Sequence, residues 1–194
     1  MDKNKLFDGK RIICIAPCYN ELHKIDKIVL RINKSIVDEV LVVDDGSTDN
    51  SPETARIQEV NILSHKKTKG VGASIRKVIE YALSKNYDIK VIIAGNNEDN
   101  PDEIVRLLKQ ITRYNYDFVQ GSRFKRGVQF KNMPLYRIFA VKLHSILFTL
   151  FSIKWVTEST NGFRAFRASL FRDKNINLWQ EWLDKYAFKF SNNQ

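Results

Sequence analysis

The residues best suited to do chemistry stand in short clusters, each at the end of an apolar run. Residues 40–43 end in Asp44-Asp45-Gly46-Ser47-Thr48-Asp49. Two adjacent carboxylates accept from N–H and O–H donors, so the pair suits either a polar ligand or a solvated turn with an Asx-type cap. Residues 11–16 break at Pro17-Cys18-Tyr19-Asn20-Glu21. Lys66-Lys67-Thr68-Lys69-Gly70-Val71-Gly72 is a basic, glycine-bearing loop. Ala94-Gly95-Asn96-Asn97-Glu98-Asp99-Asn100 is a polar loop, and Gly121-Ser122-Arg123 closes a further short run. Glu158-Ser159-Thr160-Asn161-Gly162-Phe163-Arg164 holds an arginine suited to phosphate, directly after an apolar segment.

These clusters need a frame. Strands are expected at 11–16, 39–43, 60–63, 89–93 and 117–120, because each is a short apolar or β-branched run bounded by turn residues. Helical faces lie between them: Leu22, Ile25, Ile28, Val29 and Ile32; Ile75, Val78, Ile79, Ala82 and Leu83; Ile104, Leu107, Leu108 and Ile111. Ser51-Pro52-Glu53 reads as a helix start, with Ser51 as cap and proline at the first helical position. Alternating strands and helices imply an α/β fold, a mostly parallel sheet covered by helices. Ligands of such sheets bind outside the carboxyl ends of the strands. The loops at Asn20, Asp45, Lys69, Asn96 and Arg123 are therefore expected to converge.

Residues 135–156 form a long apolar stretch whose longest charge-free run, 143–153, is too short to span a bilayer. On a helical wheel Phe139, Leu143, Ile146, Leu147, Leu150 and Phe151 share one face, opposite Arg137, His144, Ser145 and Ser152. Such a helix either packs on a core or lies in a membrane interface. The tail from Asp173, with Trp179, Trp182, Tyr186 and Phe188, reads as a further amphipathic helix and a candidate dimer contact.

The chain has 194 residues, 43% apolar and 28% charged, which fits one globular domain over 1–194 and argues against disorder. The net charge of +10 favours anionic partners. The basic residues are spread over many elements and match no nucleic-acid-binding motif, so nucleic acid is not an expected partner. Cys14 and Cys18 are too few for a zinc site or a disulfide framework and read as reduced thiols of a cytoplasmic protein. Residues 1–10 are polar and charged and carry no secretory signal.

Taken in order, the clusters resemble family 2 glycosyltransferases. Pro17-Cys18-Tyr19-Asn20-Glu21 resembles their P-x-Y-N-E start, and residues 43–49 their V-D-D-G-S-x-D loop. Lys69-Gly70 resembles their basic glycine loop. Gly121-Ser122-Arg123 and Asn161-Gly162-Phe163-Arg164-Ala165-Phe166 are similar to the G-S-R and G-F-R elements of the polyprenyl-phosphate (dolichyl-phosphate-like) hexose synthase branch. The resemblance implies a GT-A fold, with residues 11–130 as the nucleotide-sugar-binding half. Residues 131–194 would form an acceptor-side, membrane-proximal segment, cut short relative to the family. It implies a donor site of Pro17, Tyr19, Asn20, Glu21, Asp44, Asp45, Gly46, Lys69, Gly70, Gly95 and Asn96. Asp45 would accept from a base N–H, Glu21 would face ribose or base, and Lys69 would offset diphosphate charge.

The chain departs from the resemblance after the fourth strand. The family usually carries D-x-D there to hold a divalent cation; this chain has Ala94-Gly95-Asn96. Asn96 and Glu98 are the remaining candidates for Mg²⁺ or Mn²⁺, and Lys69, Arg123 or Arg164 the alternative sources of positive charge. Glu158, Arg164 and Arg123 are the implied catalytic set, Glu158 orienting acceptor or metal and the arginines pairing with an acceptor phosphate. The expected reaction moves a hexose, with inversion, from a nucleotide-sugar (UDP-sugar before GDP-sugar) to a membrane polyprenyl phosphate. The competing expectation is a non-catalytic nucleotide-sugar-binding paralogue. Peripheral contact of 135–156 with the cytoplasmic face of a membrane, and a homodimer, complete the expected partners.

Overall fold

The computed structural model describes residues 7–122, 124, 134–152, 157–158 and 160–172. Strands β1 (Ile12–Cys18), β2 (Glu39–Asp44), β3 (Asn61–Ser64), β4 (Ile89–Ile92), β5 (Phe118–Gln120) and β6 (Arg164–Arg167) form one sheet in the order β3-β2-β1-β4-β6-β5. β1 pairs in parallel with β2 and β4, and β2 with β3. Helices α1 (Ile25–Arg31), α2 (Ser51–Arg56), α3 (Val71–Ser84) and α4 (Ile104–Arg113) connect the strands. A longer helix, α5 (Leu135–Ser152), precedes β6.

The two-residue period of the strands divides the core. Ile12, Cys14 and Ala16 of β1 face Ile28 and Val29 of α1 and Ile104, Leu108 and Ile111 of α4 in one buried cluster. Ile13 and Ile15 face the other way, into a cluster with Val78 and Ala82 of α3. Each fully buried isoleucine is worth roughly 1.5–3 kcal/mol of transfer free energy. Burial also pushes the Cys14 thiol up to about 12, so it stays protonated at neutral pH.

Two local expectations are corrected. Ser51 is not the cap: Asn50 holds that position with no side-chain hydrogen bond, and Ser51 is the first helical residue. Asp49 does the capping, accepting from Ser51 N at 2.9 Å and from the Ser51 hydroxyl. The second correction is a strand the sequence reading lacked. Arg164–Arg167 inserts between β4 and β5 and runs antiparallel to both, with Arg164 opposite Ile92 and Gln120. The sheet is therefore mixed, parallel on one side and antiparallel at one edge.

The sheet also buries a charge. Lys90 of β4 is fully buried, and among the described residues its Nζ has no hydrogen-bond partner. Its ammonium lies 4.9 Å over the Phe171 ring. Desolvation, and secondarily the charge of Arg172, lower its pKa to about 8.

α5 shows how the described part of residues 135–156 packs. Among its described side chains Val141 and Ser145 are buried, whereas Phe139, Leu143, Ile146, Leu147, Leu150 and Phe151 are exposed, Phe151 at 87%. The apolar face points away from the core. No helix among the described residues is long and apolar enough to cross a membrane. The aromatic tail from Asp173 lies outside the described residues.

Candidate functional site

Loops leaving the carboxyl ends of β1, β2, β3 and β4 meet at one edge of the sheet and are tied together by hydrogen bonds. Asn20, with a left-handed backbone (φ 52°), donates its N–H to Ser47 Oγ at 3.0 Å and accepts from Thr48 N through Oδ1 at 2.8 Å. Asp44 Oδ1 closes the second loop by accepting from Ser47 N at 3.0 Å. Gly46 has φ 78°, and a Cβ there would stand 2.8 Å from Thr68 N. Only glycine lets the second and third loops approach this closely.

Asp45 clamps the third loop. Its Oδ1 accepts from Lys69 N at 2.9 Å and from Ser74 Oγ at 3.3 Å, and its Oδ2 accepts from Gly70 N at 2.9 Å. α3 starts at the next residue. The carboxylate thus satisfies N–H groups leading into a helix and faces the positive end of its dipole.

The fourth loop presses on the first. Gly95 N donates to Pro17 O at 3.1 Å, and a Cβ on Gly95 would lie 2.6 Å from that oxygen. Asp99 Oδ2 accepts from Ala94 N, and Asn96 Oδ1 from Glu98 N, both at 3.2 Å. These side chains shape the loop.

β6 supplies the remaining wall. Asn161 Oδ1 accepts from Phe163 N at 3.0 Å, and its carbonyl accepts from Gln120 Nε2 at 2.8 Å. Arg164 Nη2 donates to the same carbonyl at 3.1 Å, and its Nε to Gly162 O at 3.3 Å. Among the described residues the guanidinium meets only these carbonyls. Desolvation lowers its pKa, though arginine remains charged in proteins.

These walls enclose a cleft of about 550 Å³, within the usual range for small-molecule sites. Of the expected site residues, Pro17, Tyr19, Glu21, Asp45, Gly70, Gly95, Asn96 and Arg164 line it. Asn20, Asp44, Gly46 and Lys69 are not lining residues; the bonds and contacts above place them in the loops behind it. Glu158 is buried and Glu98 exposed, and neither lines the cleft. Arg123 lies outside the described residues. Cys18, Thr68, Ser74 and Gly162 also line the cleft, and sequence reasoning missed them. Ser74 could have been found as a small polar residue in the first turn after a glycine loop. Burial chiefly, against a hydrogen bond from the Glu21 backbone, raises the Cys18 thiol to about 11.

The same residues bear on a metal. Hard divalent cations prefer several anionic oxygens. Ala94 offers no ligand atom, the Asn96 oxygen already accepts from Glu98 N, and the Asp99 carboxylate is engaged with Ala94 N. Among the described residues no group of three or more His, Cys, Asp or Glu side chains is placed to hold a metal ion. Among the described residues, this donor set does not fit a divalent cation.

Comparison with known proteins bears on the fold and the family. A UDP-N-acetylglucosamine–dolichyl-phosphate N-acetylglucosaminyltransferase of Methanococcus voltae is 30% identical over 177 residues, covering 82% of this chain and 70% of that protein. An undecaprenyl-phosphate mannosyltransferase of Micrococcus luteus is 29% identical, over 84% of this chain and 68% of its own. Among solved structures, glucosyl-3-phosphoglycerate synthase from Mycobacterium tuberculosis, crystallised with Mn²⁺, UDP and phosphoglyceric acid, superposes with a TM-score of 0.68 at 21% identity. That alignment covers 87% of this chain but only 59% of the synthase, so the chain spans a little over half of that structure's length. The likeness establishes a GT-A-type fold. The model of Glycosyl transferase family 2 matches residues 13–177, and the chain belongs to that family.

Proposed function

We propose that this chain transfers a hexose from a nucleotide-sugar to a polyprenyl phosphate at a membrane surface. The observation that carries the reading is the cleft at the carboxyl ends of the strands, where the Asp45 clamp, the Tyr19–Glu21 loop and Arg164 face one space. The half-exposed ring of Tyr19 gives a base a flat surface to lie against. Glu21 also lines the cleft, which supports its reading as an acceptor for a ribose or base. The names of the Methanococcus and Micrococcus relatives support a polyprenyl phosphate acceptor, and the former supports a UDP-sugar ahead of a GDP-sugar. The acceptor oxygen is already anionic, so in-line attack at the anomeric carbon needs no general base. The configuration inverts and a nucleoside diphosphate leaves. Glu158 and Arg123 remain proposed parts of the acceptor side.

The outward apolar face of α5 supports peripheral membrane contact. Its aromatic and aliphatic side chains suit the acyl boundary, and a chain of net charge +10 is drawn to the anionic cytoplasmic leaflet. Incubating the purified protein with labelled UDP- or GDP-sugars and polyprenyl phosphate tests the activity; product lipid-linked sugar is expected. Failure of transfer from every donor, with or without added metal, counts against it. The replaced acids at Ala94 and Asn96 favour one second reading, a nucleotide-sugar-binding paralogue, which would show donor binding without turnover. Vesicle flotation that fails while sedimentation reports a dimer would assign the α5 face to a second copy instead.

A further inference from the structure

We infer that Arg164 holds the donor diphosphate in the place where relatives would use a divalent cation, so that donor binding here is independent of metal. The inference rests on the donor-site reading above and adds what neutralises the leaving group. Three observations carry it.

The first is position. β6 runs antiparallel to β4 with Arg164 opposite Ile92. Passing Ile92 toward Ala94 on one strand therefore means passing Arg164 toward Gly162 on the other. The Arg164 side chain folds back along its own strand in that direction, to the carbonyls of Gly162 and Asn161. Gly162, Arg164, Ala94 and Asn96 all line the same cleft.

The second is charge. Arg164 is the one cation among the described residues that line the cleft, beside two acids, Glu21 and Asp45. Both acids are engaged: Glu21 pairs with Lys24 at 2.8 Å, and both Asp45 oxygens accept from the third loop. The guanidinium, in contrast, spends Nε and Nη2 on neutral carbonyls. Its other N–H donors are not engaged by any described residue. A planar donor fork of this kind matches phosphate oxygens and is weakly hydrated, so it tolerates a half-buried place.

The third is the altered loop. With an alanine and a self-occupied amide where the resemblance implies two acids, a cation has no anionic cage among the described residues. The positive charge that a diphosphate requires must come from elsewhere, and Arg164 supplies it. In the reaction the acceptor phosphate oxygen forms a bond to the anomeric carbon while the bond from that carbon to the donor phosphate breaks. The electron pair goes to the diphosphate, whose growing charge the guanidinium stabilises without a proton transfer.

Calorimetric titration of the full chain with UDP, GDP and uridine, in excess EDTA and in excess Mn²⁺, tests this. UDP or GDP affinity is expected to change less than about threefold between the two conditions, a small fraction of a charged hydrogen bond. Arg164→Met is expected to lose about tenfold or more in diphosphate affinity while leaving uridine affinity unchanged. The double variant Ala94→Asp/Asn96→Asp is expected to gain at least about tenfold in diphosphate affinity on adding Mn²⁺. Diphosphate binding that vanishes in EDTA and returns with Mn²⁺ overturns the inference and leaves the donor site standing, as does an Arg164→Met protein that binds like the parent. Absence of all nucleotide binding in both conditions overturns the donor-site reading and this inference with it. Should Arg164→Met fail to fold, the metal dependence of the unaltered chain decides alone.

Discussion

Asp45 joins pieces of chain far apart in sequence. Its own N–H donates to Cys18 O at 2.9 Å, while its carboxylate holds Lys69, Gly70 and Ser74. Asp45→Asn keeps the volume but turns one acceptor toward N–H groups as a donor. A loss of about 1–3 kcal/mol is expected, read from urea unfolding, together with weaker diphosphate binding. An unchanged urea midpoint would mean the clamp does not organise the loops. The carboxylate pair was legible as a candidate site because it ends an apolar strand, although Asp45 alone of the two lines the cleft. Its partners were not, since the groups it holds are mainly backbone N–H donors more than twenty positions away, and a backbone amide carries no residue signature. Ser51 and Asp49 teach the same point at shorter range: two residues able to cap, two positions apart, compete for one helix end, and only the three-dimensional turn decides between them.

At the scale of elements, the close packing of loops is enforced by missing side chains. Gly95 sits against Pro17 O and Ile25 Cδ1, at 2.6 and 3.1 Å from where a Cβ would be. Gly95→Ala must push the fourth loop off the first strand exit. A destabilisation of about 1–3 kcal/mol is expected from overpacking against backbone, with a drop in nucleotide affinity larger than the stability loss alone explains. A variant with parental melting temperature and parental binding would refute the contact. Strands β1 to β5 were visible in the sequence because their apolar runs are bounded by turn residues. β6 was not, because Arg164-Ala165-Phe166-Arg167 alternates charge with bulk and reads as a motif. Its arginines are tolerated because they act at the strand ends: Arg167 reaches Ile111 O and Asn115 Oδ1 at 2.6 and 2.7 Å. For α5 the apolar stripe was legible, but not which way it faces, since a wheel fixes spacing and not the neighbour.

For the whole molecule, Lys90 couples stability to pH. The unfolded chain keeps this proton up to about 10.5, whereas the folded chain releases it near 8. Between those values the unfolded state binds more protons, so this residue's contribution makes stability rise with pH across that window. At neutral pH the charged form costs about 3 kcal/mol. Lys90→Met is expected to be more stable than the parent near neutral pH, with the advantage shrinking toward about pH 10. Urea midpoints at both ends of the window measure it; a constant difference would show that Lys90 does not titrate in the folded chain. The net charge of +10 predicted an anionic partner, but it gave no hint that one of those charges is buried within the sheet.

The place of β6 in the sheet also sets an order of assembly. β5 is synthesised more than forty residues before β6, yet β6 lies between it and β4. The β3-β2-β1-β4 block can close early, while β4 keeps an open edge and β5 has no partner. A growing chain must therefore hold a half-built sheet, with a bare Ile89–Ile92 rim of the kind that recruits foreign strands. A chain stopped before Arg164 is expected to scatter light and form aggregates where the full chain stays clear. The last of the described strands to join also carries the guanidinium into the cleft. Completion of the sheet and arrival of the Arg164 charge in the cleft are thus one event, and a nascent molecule has no finished cleft until its edge is sealed.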